Sequence, residues 1–309
     1  MKWNKLGQIF SPNLDNHWMK SHASVPFVGS IDGSIAKIYF SSRNRYQQSS
    51  VGYLMFDLEK LSVLEVGQNP CLTKGDLGGF DDSGVMGSCM VKTTSALRMY
   101  YIGWNLGVTV PFRNSIGVAE SYDNGKTFEK LFKGPIIDRN INEQHFVASN
   151  CVIIDNNIYK IWYLSCTEWV KDKDGNIRHK YHIKYAESID GIHWNRQGIV
   201  AIDYKDEYEY AISVPRVIKE GDSKFKMWFS ARGSKETNTY RICYAESFDG
   251  IKWIRKDDEV GIDISDKGWD SEMIEYPFVF DHEGSRYMLY NGNGYGKTGF
   301  GLAVLDYGE

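Results

Sequence analysis

Two stretches of the chain, YAESIDGIHW from Tyr185 and YAESFDGIKW from Tyr244, are nearly identical, and VAESYDNGKTF from Val118 is a looser third copy. Self-similarity of this kind restricts a chain to repeat architectures, in which each unit buries its apolar face against the next. Each copy has the same company. Upstream of the three lie LRMYYIGW, IYKIWYLSC and FKMWFSAR, short aromatic and β-branched runs with strand-like alternation. Further upstream are SCMV from Ser88, ASNCVII from Ala148 and SVPRVI from Ser213. Degenerate sets complete the series, SVPFV, KIYFSSR and VGYLMFD near the N-terminus and YPFVF, YMLYNGN and FGLAVLD near the C-terminus.

The pattern predicts an all-β chain, one domain over 1–309, folded as a five-bladed β-propeller with four-stranded antiparallel blades around a central channel. The blades fall at 20–60, 80–132, 144–198, 208–256 and 272–306. A pair of β-sandwiches is the competing arrangement, but it gives no reason for so regular a repeat.

SYDNGKTF, Ser121 to Phe128, fits the S-x-D-x-G-x-T-W/F pattern known as an Asp-box in sialidases. Its Ser and Asp side chains are expected to bond nearby backbone N–H groups, with Gly at a positive φ and the closing aromatic (Phe128, Trp194, Trp253) packed back on its own blade. Asp123, Asp190 and Asp249 therefore read as turn staples, because a turn repeated on every blade cannot converge on one site. A sialidase would need six blades and three arginines on one carboxylate.

Thirty-six basic against 40 acidic residues, with no basic stripe, argue against a nucleic-acid partner. No apolar run approaches the roughly 20 residues needed to cross a bilayer, and the N-terminal segment has no signal-peptide apolar region. Five cysteines without a CxxC pair read as small buried hydrophobes in a reducing, cytoplasmic setting. His179 and His182 in HKYH lack a third ligand at informative spacing, so no metal and no cofactor is expected.

Chemistry must come from where the blades differ. The segments leading into the innermost strands carry unlike groups: His22; Asp81 and Asp82; Glu143 and His145; Glu207 and Glu209; Asp270, Glu272 and Glu275. Carboxylates brought together in a concave site push their pKa values apart, and two of them facing a sugar suffice to cleave a glycosidic bond. Asp82, Glu209 and Glu275, with His22, are the candidate catalytic residues. Around them Asp81, Arg43, Trp104, Asn105, Arg113, His145, Arg216, Arg232, Glu272, Asn291, Asn293 and Tyr295 are the candidate substrate-binding set. Aromatic faces and amides suit sugar rings, and the arginines suit a phosphate or carboxylate on the ligand.

With these residues in place, the chain resembles the five-bladed β-propeller carbohydrate-active enzymes: glycoside hydrolase families 32, 43, 62 and 68 and the family 130 phosphorylases. It is most similar to uncharacterised bacterial glycosidase-like proteins associated with surface-polysaccharide genes. The resemblance implies that Asp82, in FDDSGV, stands where the phosphorylases carry the proton-donating Asp of E-D-P-R, with Ser83 and Gly84 replacing Pro and Arg. It implies Glu275 of EYP as the E-x-P acid of family 43, displaced to the last blade, with Glu209 on the blade where that acid belongs. The blade-one base of family 43 is missing, since SHASVP offers His22 and no Asp.

The expected function is a carbohydrate-active enzyme working at the anomeric centre of a small, anionic or phosphate-bearing glycoside, a glycosidase or glycoside phosphorylase. Asp82 would donate the proton, and His22, Arg43, Arg113 and Arg216 would hold the polar part of the substrate. A sugar-nucleotide or sugar-phosphate transforming enzyme (isomerase, mutase or transferase) is the first alternative, and a non-catalytic carbohydrate-binding propeller the second. The expected partner is a small carbohydrate or activated sugar.

Overall fold

The computed structural model describes residues 1–172 and 174–307. Almost all regular structure is β, in three sheets. One eight-stranded sheet contains β2 (Ser21–Asp32), β3 (Ile35–Arg43), β4 (Ser49–Asp57), β5 (Ser62–Val66), β6 (Gly84–Lys92), β7 (Leu97–Leu106), β8 (Phe112–Ser121) and β9 (Glu129–Lys130). The second contains β10 (Val147–Asp155), β11 (Ile158–Lys171), β12 (Ile177–Ser188), β13 (Asn195–Ile202), β14 (Ala211–Glu220), β15 (Lys224–Arg232), β16 (Arg241–Ser247) and β17 (Ile254–Arg255). The third joins β18 (Glu275–His282), β19 (Ser285–Asn291) and β20 (Phe300–Leu305) to β1 (Trp3–Phe10) from the other end of the chain.

The eight-stranded sheets are composite. Each is two antiparallel four-stranded segments joined by one parallel bridge, Ser49 with Gly84 and Tyr181 with Ala211. Counting blades from the sheets alone therefore does not return the expected five. The first strands of the segments nonetheless pack in a cycle, β2 on β6, β6 on β10, β10 on β14, β14 on β18 and β18 on β2. A side chain of one segment accepts a backbone N–H of the next at every step. Ser41 Oγ takes Gly87, Ser88 Oγ takes Asn150, Ser149 Oγ takes Val214, Ser230 Oγ takes Tyr276 and Asn291 Oδ1 takes Val25, at 2.7 to 3.1 Å.

These N–H groups need outside acceptors because every inner strand is bulged at that place, which drops a ladder bond. Val25, Val214 and Tyr276 sit in the bulges at φ of +53°, +46° and +55°, each followed by proline. A β-branched residue at positive φ is strained, so the bulges hold only because the surrounding packing and the borrowed hydrogen bonds fix them.

The Asp-boxes do staple turns, but not onto their own segment. Tyr39, Tyr100 and Trp162, each on the second strand of a segment, donate to the carbonyls of Gly125, Gly191 and Gly250 in the box of the following one. Phe128, Trp194 and Trp253 pack edge-on against the same three rings. The expectation that the closing aromatic folds onto its own blade is thus corrected: the box binds neighbours together. Gly125 has φ +76°, and a Cβ there would lie 2.0 Å from the Tyr39 hydroxyl, so only glycine fits.

Candidate functional site

A cavity of about 420 Å³ lies where the inner strands converge, since Ser24, Met86, Ser149, Ser213 and Tyr276 bring one residue from each to its wall. The second strands end on the same side and supply Arg43, Ile102, Leu164 and Arg232. The long β11–β12 hairpin adds Arg178, His179 and Tyr181. His22, Tyr240 and Tyr295 complete the polar lining, with Phe112 and Phe146 on one side.

Its charge is cationic. Arg43 has no side-chain hydrogen bond or ion pair among the described residues, and its burial lowers its pKa. Arg232 donates to the Tyr295 hydroxyl at 2.8 Å and lies against the Tyr210, Tyr240 and Tyr295 rings. Arg178 pairs with Asp172 outside the cavity. Burial, then the adjacent guanidiniums, hold His22 and His179 at about 4, so both imidazoles are neutral at neutral pH. His22 Nδ1 lies 2.9 Å from Ser21 Oγ, and His179 stacks on Tyr181. The Tyr181 and Tyr240 hydroxyls bond each other, and burial pushes both pKa values up, so they remain protonated.

Glu275 sits behind this wall. It is fully buried, and neither carboxyl oxygen makes a hydrogen bond of good geometry among the described residues. Burial pushes its pKa well up, offset only in part by Arg232 and the Tyr295 backbone, which favours the protonated acid. The turn Asn293–Gly296 covers it, with Tyr295 at φ +61° and its carbonyl taking the Ser24 hydroxyl at 2.5 Å.

The expected meeting of Asp82, Glu209, Glu275 and His22 does not occur at the cavity wall: of the four only His22 lines it, with Glu275 beneath. Asp82 is in a half-exposed loop, accepting from the Gly78 N–H at 3.0 Å and the Ser83 hydroxyl at 2.9 Å. Glu209 is buried and takes both guanidinium nitrogens of Arg255 at 2.6 and 2.9 Å. This arrangement is periodic. Asp81 pairs with Lys130 at 2.6 Å and Asp270 with Lys5 at 2.7 Å, while Glu143 pairs with Arg196. Each cation comes from an outermost strand and lies over a second-strand ring: Tyr101, Tyr290, Tyr163, or Phe229 for Glu209. The first segment replaces the ion pair by Trp18 stacked on Phe40. These lead-in carboxylates brace the segments, as the Asp-boxes do.

The remaining expected binding residues divide. Arg43, Arg232 and Tyr295 line the central cavity, and Asn105, Arg113 and His145 line a neighbouring pocket. Trp104 ties two segments through Ser49 Oγ, and Arg216 stacks on Phe278 while bonding the Val279 carbonyl. Asn291 is consumed by Val25, Ala23 and Gly299. Asn293 receives the Glu272 and Met273 N–H groups, and the Glu272 side chain is exposed away from both cavities. His179, Tyr181, Tyr240 and Tyr276 escape the sequence reading. For His179 and Tyr181 the one signal is the length of β11 and β12, 14 and 12 residues, which carries the hairpin over the cavity. No group of three or more metal-ligating side chains gathers among the described residues, and no described helix is long and apolar enough to cross a membrane.

Against known proteins, the uncharacterised protein Rv1502 of Mycobacterium tuberculosis strain H37Rv is 43% identical over 307 residues, covering 99% of this chain and 100% of its own. The chain belongs to the Rv1502 family. A second relative, MT1551 of strain CDC 1551, matches to the same extent. No protein-family model matches. Among solved structures, a glycosyl hydrolase from Bacteroides ovatus superposes at a TM-score of 0.69 with 15% identity, covering 99% of this chain and 91% of that one. A thermostable family-43 glycoside hydrolase gives 0.65 with 16% identity, covering 97% and 95%. A GH130 protein, of the family of mannoside phosphorylases that also contains hydrolases of β-1,2 mannosidic linkages in Candida mannan, gives 0.72 with 12% identity, covering 99% and 94%. The fold is the propeller fold of these glycoside hydrolases and phosphorylases.

Proposed function

We propose that the protein is a carbohydrate-active enzyme, built as five propeller blades, which takes a small anionic sugar into the central cavity and acts at its anomeric centre. The observation that carries this is Arg43, a half-buried guanidinium without a partner among the described residues, on a cavity wall shared with Arg178 and Arg232. A phosphate or carboxylate is the ligand group that would satisfy it, and a planar fork binds either in bidentate fashion. Tyrosine rings beside it suit a sugar face. Glu275 is the group placed to hold a proton, and neutral His22 the group free to accept one. The five buried cysteines suit the cytoplasmic setting expected from the sequence.

A second reading, a sugar-phosphate or sugar-nucleotide transforming enzyme, is favoured by one observation: no Asp or Glu among the described residues lines the central cavity. Glycosidic cleavage by two carboxylates needs both beside the bond. The test is calorimetric titration with glucose 1-phosphate, glucuronate and glucose. Binding of an anionic sugar but not glucose, weakened at least tenfold in Arg43→Gln, supports the proposal. Equal binding of glucose, or no effect of Arg43→Gln, refutes it.

A further inference from the structure

The central cavity does not end at its own wall. Asn114 and Phe146 also line a second pocket of about 330 Å³, so the two spaces share a boundary. Phe80 and Trp169 give this second pocket aromatic surface. Phe80 is held against Tyr101, and Trp169 is wedged edge-on against Phe112 and His179 and tilted against Phe146, so both rings are fixed in place. Amides come from Asn105 and Gln144, and guanidiniums from Arg113 and Arg139.

The guanidiniums are available. The Arg113 side chain is exposed and has no hydrogen bond or ion pair among the described residues. Arg139 has only a 3.8 Å contact with Asp138, whose Oδ1 is already occupied by the Ser115 hydroxyl and the Arg139 backbone N–H. The other cleft that meets the central cavity carries Arg178, Lys180 and Arg232, but these are engaged by Asp172, Glu168 and the Tyr295 hydroxyl, so an anionic extension is directed to the unpaired Arg113.

We propose that this side pocket binds the nucleoside diphosphate portion of an activated sugar whose sugar lies in the central cavity. The inference rests on the reading of the central cavity given above. Arg113, unpaired among the described residues, and Arg139, held only at 3.8 Å from Asp138, together match a diphosphate, where a single acidic sugar would engage one. A fixed indole and phenyl offer a stacking surface for a base, and side-chain amides present the paired donor and acceptor that a base edge takes.

The experiment is calorimetric titration of the full chain with UDP, ADP and GDP, with glucose 1-phosphate and digalacturonate as comparators, on wild type, Arg113→Gln and Arg43→Gln. Both arginines are peripheral to the core, and circular dichroism checks each fold. The expected result is that at least one nucleoside diphosphate binds, weakened at least tenfold by Arg113→Gln and less than twofold by Arg43→Gln. Absence of binding by all three diphosphates at millimolar concentration overturns the inference, as does loss through Arg43→Gln alone. Binding of digalacturonate through Arg113 without any diphosphate binding overturns it too, in favour of an acidic glycan. Glucose 1-phosphate reports separately on the central cavity, so failure of that reading is distinguishable.

Discussion

Replacing Glu209 with Gln separates a brace from a catalyst. The Glu209 carboxylate is buried, bonded twice to Arg255, and also receives the Lys205 backbone N–H at 3.0 Å. Removing one member of a buried ion pair leaves the other charge uncompensated and costs about 3–5 kcal/mol. Arg255 keeps Asp257 at 2.7 Å, which puts the loss near the lower end, about 3 kcal/mol. An unfolding entropy of about 2.1 cal/mol/K per residue, taken over 309 residues, converts this to a fall in Tm of roughly 5 °C. Calorimetric melting at pH 7 measures it, and titration with glucose 1-phosphate on the same sample reads the cavity. The reasoning requires a lower Tm with affinity unchanged within twofold. A Tm within 1 °C of wild type combined with lost binding would refute it and return Glu209 to the ligand.

Other outcomes follow from the same geometry. Glu275 keeps its proton in the folded state above the pH at which the unfolded chain releases it, so it costs stability increasingly as pH rises above about 4.5. Glu275→Gln should therefore raise Tm at pH 7 and leave it unchanged near pH 4, while lowering turnover of any substrate found. His22 and His179 bind protons more weakly folded than unfolded, so the stability they contribute is present above pH 6.5 and is lost as pH falls towards 4. Melting curves of the His22→Asn, His179→Asn double variant should show a shallower loss across that window. Tyr100→Phe removes the donor to the buried Gly191 carbonyl and should cost about 1–2 kcal/mol in urea unfolding. Asp82→Asn should leave ligand affinity within twofold, since its carboxylate only holds its own loop.

The repeat makes the strand order readable, because Tyr185 to Trp194 and Tyr244 to Trp253 can be aligned and their flanks compared. The radial partners of each turn are not readable. Tyr100 and Gly191 are 91 positions apart, and nothing local to either marks a bond between neighbouring units. The same limit governs the site. Asp81, Glu143, Glu209 and Asp270 look like differences between blades because their spellings differ. In space they are one repeated ion pair whose cations, Lys130, Arg196, Arg255 and Lys5, arrive from outer strands far along the chain. Arg43 and Arg232 are legible because they end aromatic strands at a common register, and Tyr295 because it lies in the turn that follows another. His179 and Tyr181 are not, since their position depends on how far one hairpin extends over its neighbours.

The last four-stranded sheet takes its outer member from Trp3–Phe10 and its other three from Glu275–Leu305. During synthesis β1 must therefore wait, unpaired, until β20 has left the ribosome, and the Lys5 ammonium waits for Asp270. Any chain stopped before residue 300 keeps two raw sheet edges and an open circle. Pairing of β1 with β20 and closure of the molecule are thus a single event.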